Sequence, residues 1–328
     1  MRATLTALAA ATAALLTALA ARAEPVAVVL ETAAKVRIPS TAAPLQPLWT
    51  GSFSGPEAFG SNLAPGPDHE AEGPPAIAAS ADGFAILDGL RGVVRFVGEG
   101  GSAGRKVSLD ALGAEAASAL DLAVDGSGAV ALWLSRAPGS VAILDQSSAV
   151  SARAALDESR SPATGLVFLD RRLFAGYADA RAWQPLQPLE PIRRGLPTPG
   201  GDCNAALLAD GRAIVRCHAP EGLREVVIEP DPSGPALAAV EQVHADDQGG
   251  IAAVLAVRSG AAGLHRLAFR LDRFGQQAWA DLGDDPPWFT ARAAAFTADG
   301  RLLRLTGDAA GPRVLLAPLR PLGPRGTP

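Results

Sequence analysis

The chain is poor in the residues and motifs that mark common catalytic sites. Its 328 residues include two cysteines and four histidines, and the histidines show no pairing at the spacing of metal ligands: His69, His218, His244 and His265. It contains no phosphate-binding P-loop and no dinucleotide-binding fingerprint. No motif identifies an enzyme, so a binding role is favoured over catalysis.

Lysine is also scarce, and acidic residues outnumber basic ones by 34 to 29. Lysine occurs only at Lys35 and Lys106, no basic run is interleaved with aromatic residues, and the formal net charge is −5. A protein that binds nucleic acid uses positive charge to neutralise phosphates. We therefore expect no nucleic-acid partner.

Beyond the N-terminus the chain has no long apolar run. Arg2 begins a short positive region, residues 5–19 are rich in Ala, Leu and Thr, and residues 21–23 read Ala-Arg-Ala, a cleavage site of the A-x-A type. The apolar run is shorter than the roughly 20 residues that span a bilayer as a helix. These features predict a signal peptide over residues 1–23, cleaved after Ala23, and a mature chain in the periplasm or outside the cell without membrane insertion. A retained N-terminal anchor is the alternative.

The chain does contain a recurring sequence motif, which consists of a small apolar run, a turn carrying Asp-Gly and a second apolar run. One aspartate per copy marks the phase: Asp82, Asp125, Asp170, Asp210, Asp247 and Asp299. The successive intervals are 43, 45, 40, 37 and 52 residues, close to the roughly 40 to 50 residues of one four-stranded propeller blade. The repeat predicts an all-β fold, a single β-propeller with six blades of four antiparallel strands. The wide last interval leaves five or seven blades open.

The repeat also divides the chain. Residues 76–317 are predicted to form the blades, and the proline-rich residues 318–328 a tail. Because a ring with unpaired sheet edges would invite association, residues 24–75 are expected to supply a closing strand and a loop segment. The apolar residues 26–30, or residues 36–38 after them, are the candidates to add this strand to the final blade.

The two cysteines fall within one blade. Cys203 and Cys217 bracket the hairpin that turns at Asp210-Gly211, which places them on facing strands within one position of opposite each other. In an exported protein this arrangement predicts a disulfide. Two buried free thiols are the alternative.

The first blade and the segment before it resemble a known family. Residues 48–60, then residues 71–75, then Leu87-Asp88 and residues 93–96 (Val-Val-Arg-Phe) look like secreted bacterial NHL-repeat propeller proteins. In such repeats a strand ending in Asp is followed by a strand containing Arg. The resemblance implies the propeller fold and a tendency to bind proteins or other polymers on one face of the ring, and it implies no reaction.

A second resemblance carries chemistry. Glu72-Gly73-Pro74 is similar to the Glu-Gly-Pro of the gluconolactonase and regucalcin-like propellers, whose Glu binds a divalent metal at the channel mouth. The comparable positions of later blades are Asn204 and Glu241, although Ala205 and Gln242 stand where that family has glycine. The resemblance implies a metal site of Glu72, Asn204 and Glu241 for a divalent cation such as Ca²⁺, whose bound water would attack a lactone. The alternative is that Glu72 caps a loop and Asn204 makes an Asx turn.

The sequence therefore favours an exported, non-catalytic propeller that acts as a binding or scaffold module for a protein, a polymer or an envelope component. It is expected to be a monomer and to need no cofactor. A metal-dependent lactonase-like hydrolase centred on Glu72, Asn204 and Glu241 is the alternative. Trp288, which follows the acidic residues 284–285, is expected to be an exposed aromatic contact.

Overall fold

Six β-sheets account for nearly all of the regular structure. The computed structural model describes residues 33–39, 41–64, 70–136, 139–156, 163–177, 182–186, 189, 193–219, 222–232, 234–258, 263–283 and 285–319. The predicted signal peptide, residues 1–23, lies outside these residues, as does most of the predicted tail. Among the helices of the described residues, none has the length and apolar character needed to cross a membrane.

The elements are strands, with two short 3₁₀ helices in the first two repeats. The 3₁₀ helices are η1 (Gly89–Arg91) and η2 (Asp110–Ser118). The strands are β1 (Ala34–Arg37), β2 (Gln46–Thr50), β3 (Ala76–Ser80), β4 (Gly83–Asp88), β5 (Val93–Gly98), β6 (Ala103–Ser108), β7 (Ala119–Val124), β8 (Val130–Leu134), β9 (Ser140–Leu144), β10 (Val150–Ala155), β11 (Ala163–Leu169), β12 (Arg172–Tyr177), β13 (Ala182–Pro185), β14 (Arg193–Arg194), β15 (Leu196–Thr198), β16 (Gly201–Leu207), β17 (Ala213–Ala219), β18 (Gly222–Glu229), β19 (Ala236–Ala245), β20 (Ile251–Arg258), β21 (Leu264–Leu271), β22 (Gln277–Asp281), β23 (Ala294–Phe296), β24 (Leu302–Asp308) and β25 (Gly311–Ala317).

The sheets follow the chain as the six blades of a β-propeller. Blades 1, 2, 3 and 5 are β3–β6, β7–β10, β11–β14 and β19–β22. Blade 4 is β15–β18 with β1 at its outer edge, and blade 6 is β23–β25 with β2 at its outer edge. The prediction of six blades of four antiparallel strands is confirmed, with a fifth, parallel strand added to blade 4.

Ring closure differs from the expectation. The strand that completes the final blade is β2, which pairs antiparallel with β25. Residues 36–38 were a wrong choice for this role, because β1 pairs parallel with β18 in blade 4. The other candidate, residues 26–30, lies outside the described residues. Between β1 and β2, Ala43 bridges Ala280 of blade 5. Residues 34–39 and 41–50 therefore form an N-terminal strap across the outer edges of blades 4, 5 and 6.

The cores lie between neighbouring blades. β20 is buried along its first seven residues, a pattern typical of a strand whose sheet is covered on both faces. Local turn chemistry sets the hairpins: Gly83 has φ +149°, and a Cβ there would lie 2.1 Å from the carbonyl oxygen of Val97. In blade 4, Cys203 and Cys217 are direct partners in register and form the predicted disulfide, with a Cα–Cα distance of 4.0 Å.

Candidate functional site

A cavity runs through the centre of the ring. Its volume is about 1050 Å³, and residues from all six blades line it. Twelve of the 41 lining residues are alanines, which leave the centre wide because they project only a methyl group from the inner strands. This volume lies at the upper end of the range of small-molecule binding sites. We call this cavity the channel.

Four charged side chains form a continuous chain along one side of the channel. Glu241 Oε2 accepts a hydrogen bond from Arg266 Nε at 2.8 Å, and Arg266 Nη1 donates to the Asp285 carboxylate. The other oxygen of that carboxylate, Oδ1, accepts from Arg304 Nη2 at 2.6 Å. All four residues line the channel. They join blade 5 to blade 6, and we call them the channel ion-pair chain.

The pairing fixes the charge states of this chain. The hydrogen bond and charge of Glu241 raise the pKa of Arg266 against the opposing effect of burial. Burial alone would raise the pKa of Asp285, but hydrogen bonds and charge from Arg304 and Arg266 outweigh it and lower that pKa. Asp285 is therefore an ionised hydrogen-bond acceptor near neutral pH and not a proton donor.

A second ion pair spans the channel. Arg292 precedes the inner strand of blade 6 and its backbone bridges Ala76 of blade 1. Its guanidinium donates to the carboxylate of Asp121 in blade 2 and to the carbonyl oxygen of Leu166 in blade 3. The same Asp121 oxygen accepts the backbone N–H of Leu166 at 2.8 Å, and burial raises the pKa of Asp121. A Cβ at Gly165 would lie 3.0 Å from Arg292 Nη2, so the glycine makes room for this contact.

The Asp and Arg of the NHL-like signature form a structural pair. Asp88 is 1% exposed, its Oδ2 accepts from Arg95 Nε at 3.1 Å, and its Oδ1 accepts the backbone N–H of Gly60 at 3.1 Å. Arg95 also donates to the carbonyl oxygen of Ala58 at 2.7 Å. The pair therefore fastens the segment between β2 and β3 to blade 1.

The structure separates the three residues of the implied metal site. Asn204 and Glu241 line the channel, and Glu72 is not part of that lining. Glu72 is exposed and exchanges two backbone hydrogen bonds with Asn62, while Glu241 is paired with Arg266. In the described part of the chain, no three His, Cys, Asp or Glu side chains are grouped so that they could hold a metal ion. Glu72 therefore lies apart from the lining that holds the other two, and the metal site with its cation stays a prediction.

Trp288 corrects another expectation. It is 4% exposed, its Nε1 donates to the carbonyl oxygen of Pro74 at 3.0 Å, and its ring meets Phe53 edge-on at 5.5 Å. The aromatic side chain is therefore a packing element. Asp285, on the same connection, is one of the residues that line the channel.

Sequence reasoning missed Arg266, Asp285, Arg292 and Arg304. One signal was available: Arg304 stands between Leu303 and Leu305 in a strand whose first four residues are buried. A charged residue in such a position needs a buried partner.

The chain was also compared with known proteins. No protein-family model matches it, and no curated protein matches it. Similar solved structures include a member of the DUF4221 family from Bacteroides vulgatus, with 7% identity, a TM-score of 0.45 and coverage of 86% of this chain and 96% of that chain. BamB from Moraxella catarrhalis has 15% identity, a TM-score of 0.35 and coverage of 86% and 95%. The WD40 domain of SCAP from fission yeast has 11% identity, a TM-score of 0.35 and coverage of 75% and 82%.

Proposed function

We propose that this protein is an exported, non-catalytic binding module that takes its ligand, a group on a protein, a polymer or another envelope component, into the channel. The observation that carries the proposal is the channel itself, about 1050 Å³ in volume and with alanine at twelve of its 41 lining positions. Small side chains leave the inner strand edges of the blades within reach of a ligand. An alanine wall offers apolar contact, and the channel ion-pair chain offers polar orientation.

The charge pattern supports binding over catalysis. A general acid needs a pKa near the working pH, whereas the pKa of Asp285 is lowered by its two arginine partners. Glu241 and Arg292 are likewise held in ion pairs. Side chains fixed in this way orient a ligand without exchanging protons with it.

Export rests on the N-terminal sequence. Residues 1–23 have the positive start, apolar run and Ala-Arg-Ala site of a signal peptide. A ligand from the periplasm or the cell exterior follows from that location. N-terminal sequencing of the secreted or periplasmic protein tests it, with Glu24 as the expected first residue.

The channel is tested with a blocking substitution. Ala239→Trp places a large side chain in the channel lining, and Ala155→Trp makes the same change at an exposed position of the outer strand β10. Thermal unfolding of both variants and of the unchanged protein is followed with soluble peptidoglycan fragments, neutral and acidic oligosaccharides, and a decapeptide pool. A ligand at a hundredfold excess over its Kd stabilises the folded state by about 2.7 kcal/mol, or about 4 °C for a chain of this length.

We expect at least one probe to raise the melting temperature of the unchanged protein and of Ala155→Trp, and to lose this effect in Ala239→Trp. Equal shifts in all three proteins would place the ligand on the outer surface and refute the channel. Chemical conversion of a stabilising probe, followed by mass spectrometry, would refute the non-catalytic part.

A further inference from the structure

The members of the channel ion-pair chain differ in how firmly they are held. Arg304 lies on β24 with 2% of its side chain exposed, and Arg266 lies on β21 with 23% exposed. Asp285 lies on the connection between β22 and β23 with 49% of its side chain exposed. Strands of a sheet are fixed, whereas connections adapt more easily. The two cations are therefore the fixed part of the arrangement, and the Asp285 carboxylate is the part that can be exchanged.

The two guanidinium groups are arranged around one carboxylate. Each oxygen of Asp285 accepts a hydrogen bond from a different arginine, one from blade 5 and one from blade 6. Planar guanidinium groups recognise carboxylates through such charge-assisted hydrogen bonds. The position of the Asp285 carboxylate therefore marks where the carboxylate of a ligand would be bound.

Charge decides between anions. Within the channel ion-pair chain alone, removal of Asp285 leaves the positive charges of Arg266 and Arg304 and the negative charge of Glu241, a sum of +1 for these three side chains. That sum matches one carboxylate, whereas a phosphate dianion would meet the nearby Glu241 with excess negative charge. Alanines at positions 239, 293 and 294 line the same cavity and suit an uncharged ligand body.

We propose that Arg266 and Arg304 form a subsite for an organic monocarboxylate, which takes the place of Asp285 when it binds. This inference rests on the proposed function, since it names the chemistry that the channel recognises. Asp285 competes with the ligand for the two arginines. A carboxylate with few other contacts should therefore bind poorly, whereas a ligand whose body also contacts the channel should bind more tightly.

The test is rescue of Asp285→Ala by a small carboxylate. Thermal unfolding of the purified protein is measured with sodium propionate, with propionamide as its neutral isostere, with sodium chloride at matched ionic strength, and with inorganic phosphate. The control is Asp308→Ala, which removes the partner of Arg313 from a pair that is about half exposed on the same blade.

We expect Asp285→Ala to melt below the unchanged protein in chloride, and propionate to raise its melting temperature saturably, by about 4 °C at a hundredfold excess over the Kd. The unchanged protein should need about tenfold more propionate, because Asp285 holds the subsite closed. Propionamide and chloride should give no such shift, phosphate a smaller one, and Asp308→Ala should show no selective response to propionate.

Equal responses of Asp285→Ala and Asp308→Ala to propionate, or no response beyond chloride, would overturn the subsite. If Asp285→Ala does not fold in chloride, the titration is run on Asp285→Asn, which keeps the side-chain shape and removes the charge; a saturable propionate shift supports the subsite and its absence overturns it. The two proposals fail separately. Propionate rescue reports the subsite whatever the polymer probes show, and a probe blocked by Ala239→Trp together with no propionate shift in Asp285→Ala would support the channel and overturn the subsite.

Discussion

Replacing Arg292 by methionine would remove the guanidinium that spans the channel while keeping an apolar side chain of similar length. The substitution breaks the contacts to Asp121 in blade 2 and to the Leu166 carbonyl in blade 3. Asp121 is left with 2% of its side chain exposed and with the Leu166 backbone N–H as a hydrogen-bond donor. Its charge then has no opposite charge beside it.

The expected loss follows from that burial. Removing one partner of a buried ion pair costs about 3 to 5 kcal/mol, mostly because the remaining charge stays desolvated. With an unfolding entropy of about 2.1 cal/mol/K per residue, a chain of this size should melt about 5 to 8 °C lower. Asp121→Asn in the Arg292→Met background removes the stranded charge and should recover part of the loss, as a double-mutant cycle measures.

The assay is urea and thermal unfolding of the single and double variants, with Arg313→Met as the matched control. Arg313 and Asp308 form an ion pair whose side chains are 46% and 49% exposed, so that substitution should cost below about 1 kcal/mol. A loss for Arg292→Met no larger than that of the control, or no recovery in the double variant, would refute the reasoning. Either result would mean that the buried charge of Asp121 does not need Arg292 for its stabilisation.

Three further predictions concern other parts of the ring. Burial lowers the pKa of His244 from 6.5 to about 4, against the opposing charge of Asp246. As the pH falls, the unfolded chain therefore takes up a proton on this histidine before the folded protein does. The free energy of unfolding should fall by about 3 kcal/mol between pH 6.5 and pH 4. His244→Phe should remove this slope in urea titrations at pH 4 to 7, and an unchanged slope would count against burial as its cause. Replacing Cys203 and Cys217 together by alanine should lower the free energy of unfolding by about 3 kcal/mol, since the disulfide joins residues 14 positions apart. Reductant should not destabilise this variant further, because it has no disulfide, and a further loss in reductant would contradict this explanation. After chelation, titration with Ca²⁺, Mg²⁺, Mn²⁺ or Zn²⁺ should not raise the melting temperature through Glu72, because Glu72 lies outside the channel lining. A saturable shift that Glu72→Ala abolishes would instead support the metal site.

The blades were predictable because their signals are local. Each of the six copies has a turn marked by Asp between two apolar strands, with Asp-Gly in four of them, and a period near 40 residues repeats the pattern. The Cys203–Cys217 pair was predictable for the same reason, since both residues lie on one hairpin. The closing strand was not, because β2 meets β25 across most of the chain and its Gln46-Pro47 start lacks an apolar strand pattern.

The channel chemistry was the least predictable part. Arg304 stands out in the sequence as a charge between two leucines, but Asp285, the partner that it shares with Arg266, lies on a connection between blades. Which loop acid meets which strand cation depends on how neighbouring blades pack, and that geometry is set by the whole ring. Family resemblance pointed instead to Glu72, which the fold places at a backbone bridge with Asn62.

The N-terminal strap also sets an order of assembly. Gln46 pairs with Leu316, which lies 270 residues further along the chain and is therefore synthesised much later. Until β25 has left the ribosome, β2 has no strand partner, although β1 can already pair with β18 in blade 4. Blades 1, 2, 3 and 5 complete their four-stranded sheets from consecutive strands, whereas blade 6 is completed only when β2 pairs with β25. Closure of the ring at blade 6 is therefore a late event that joins two segments far apart in the sequence.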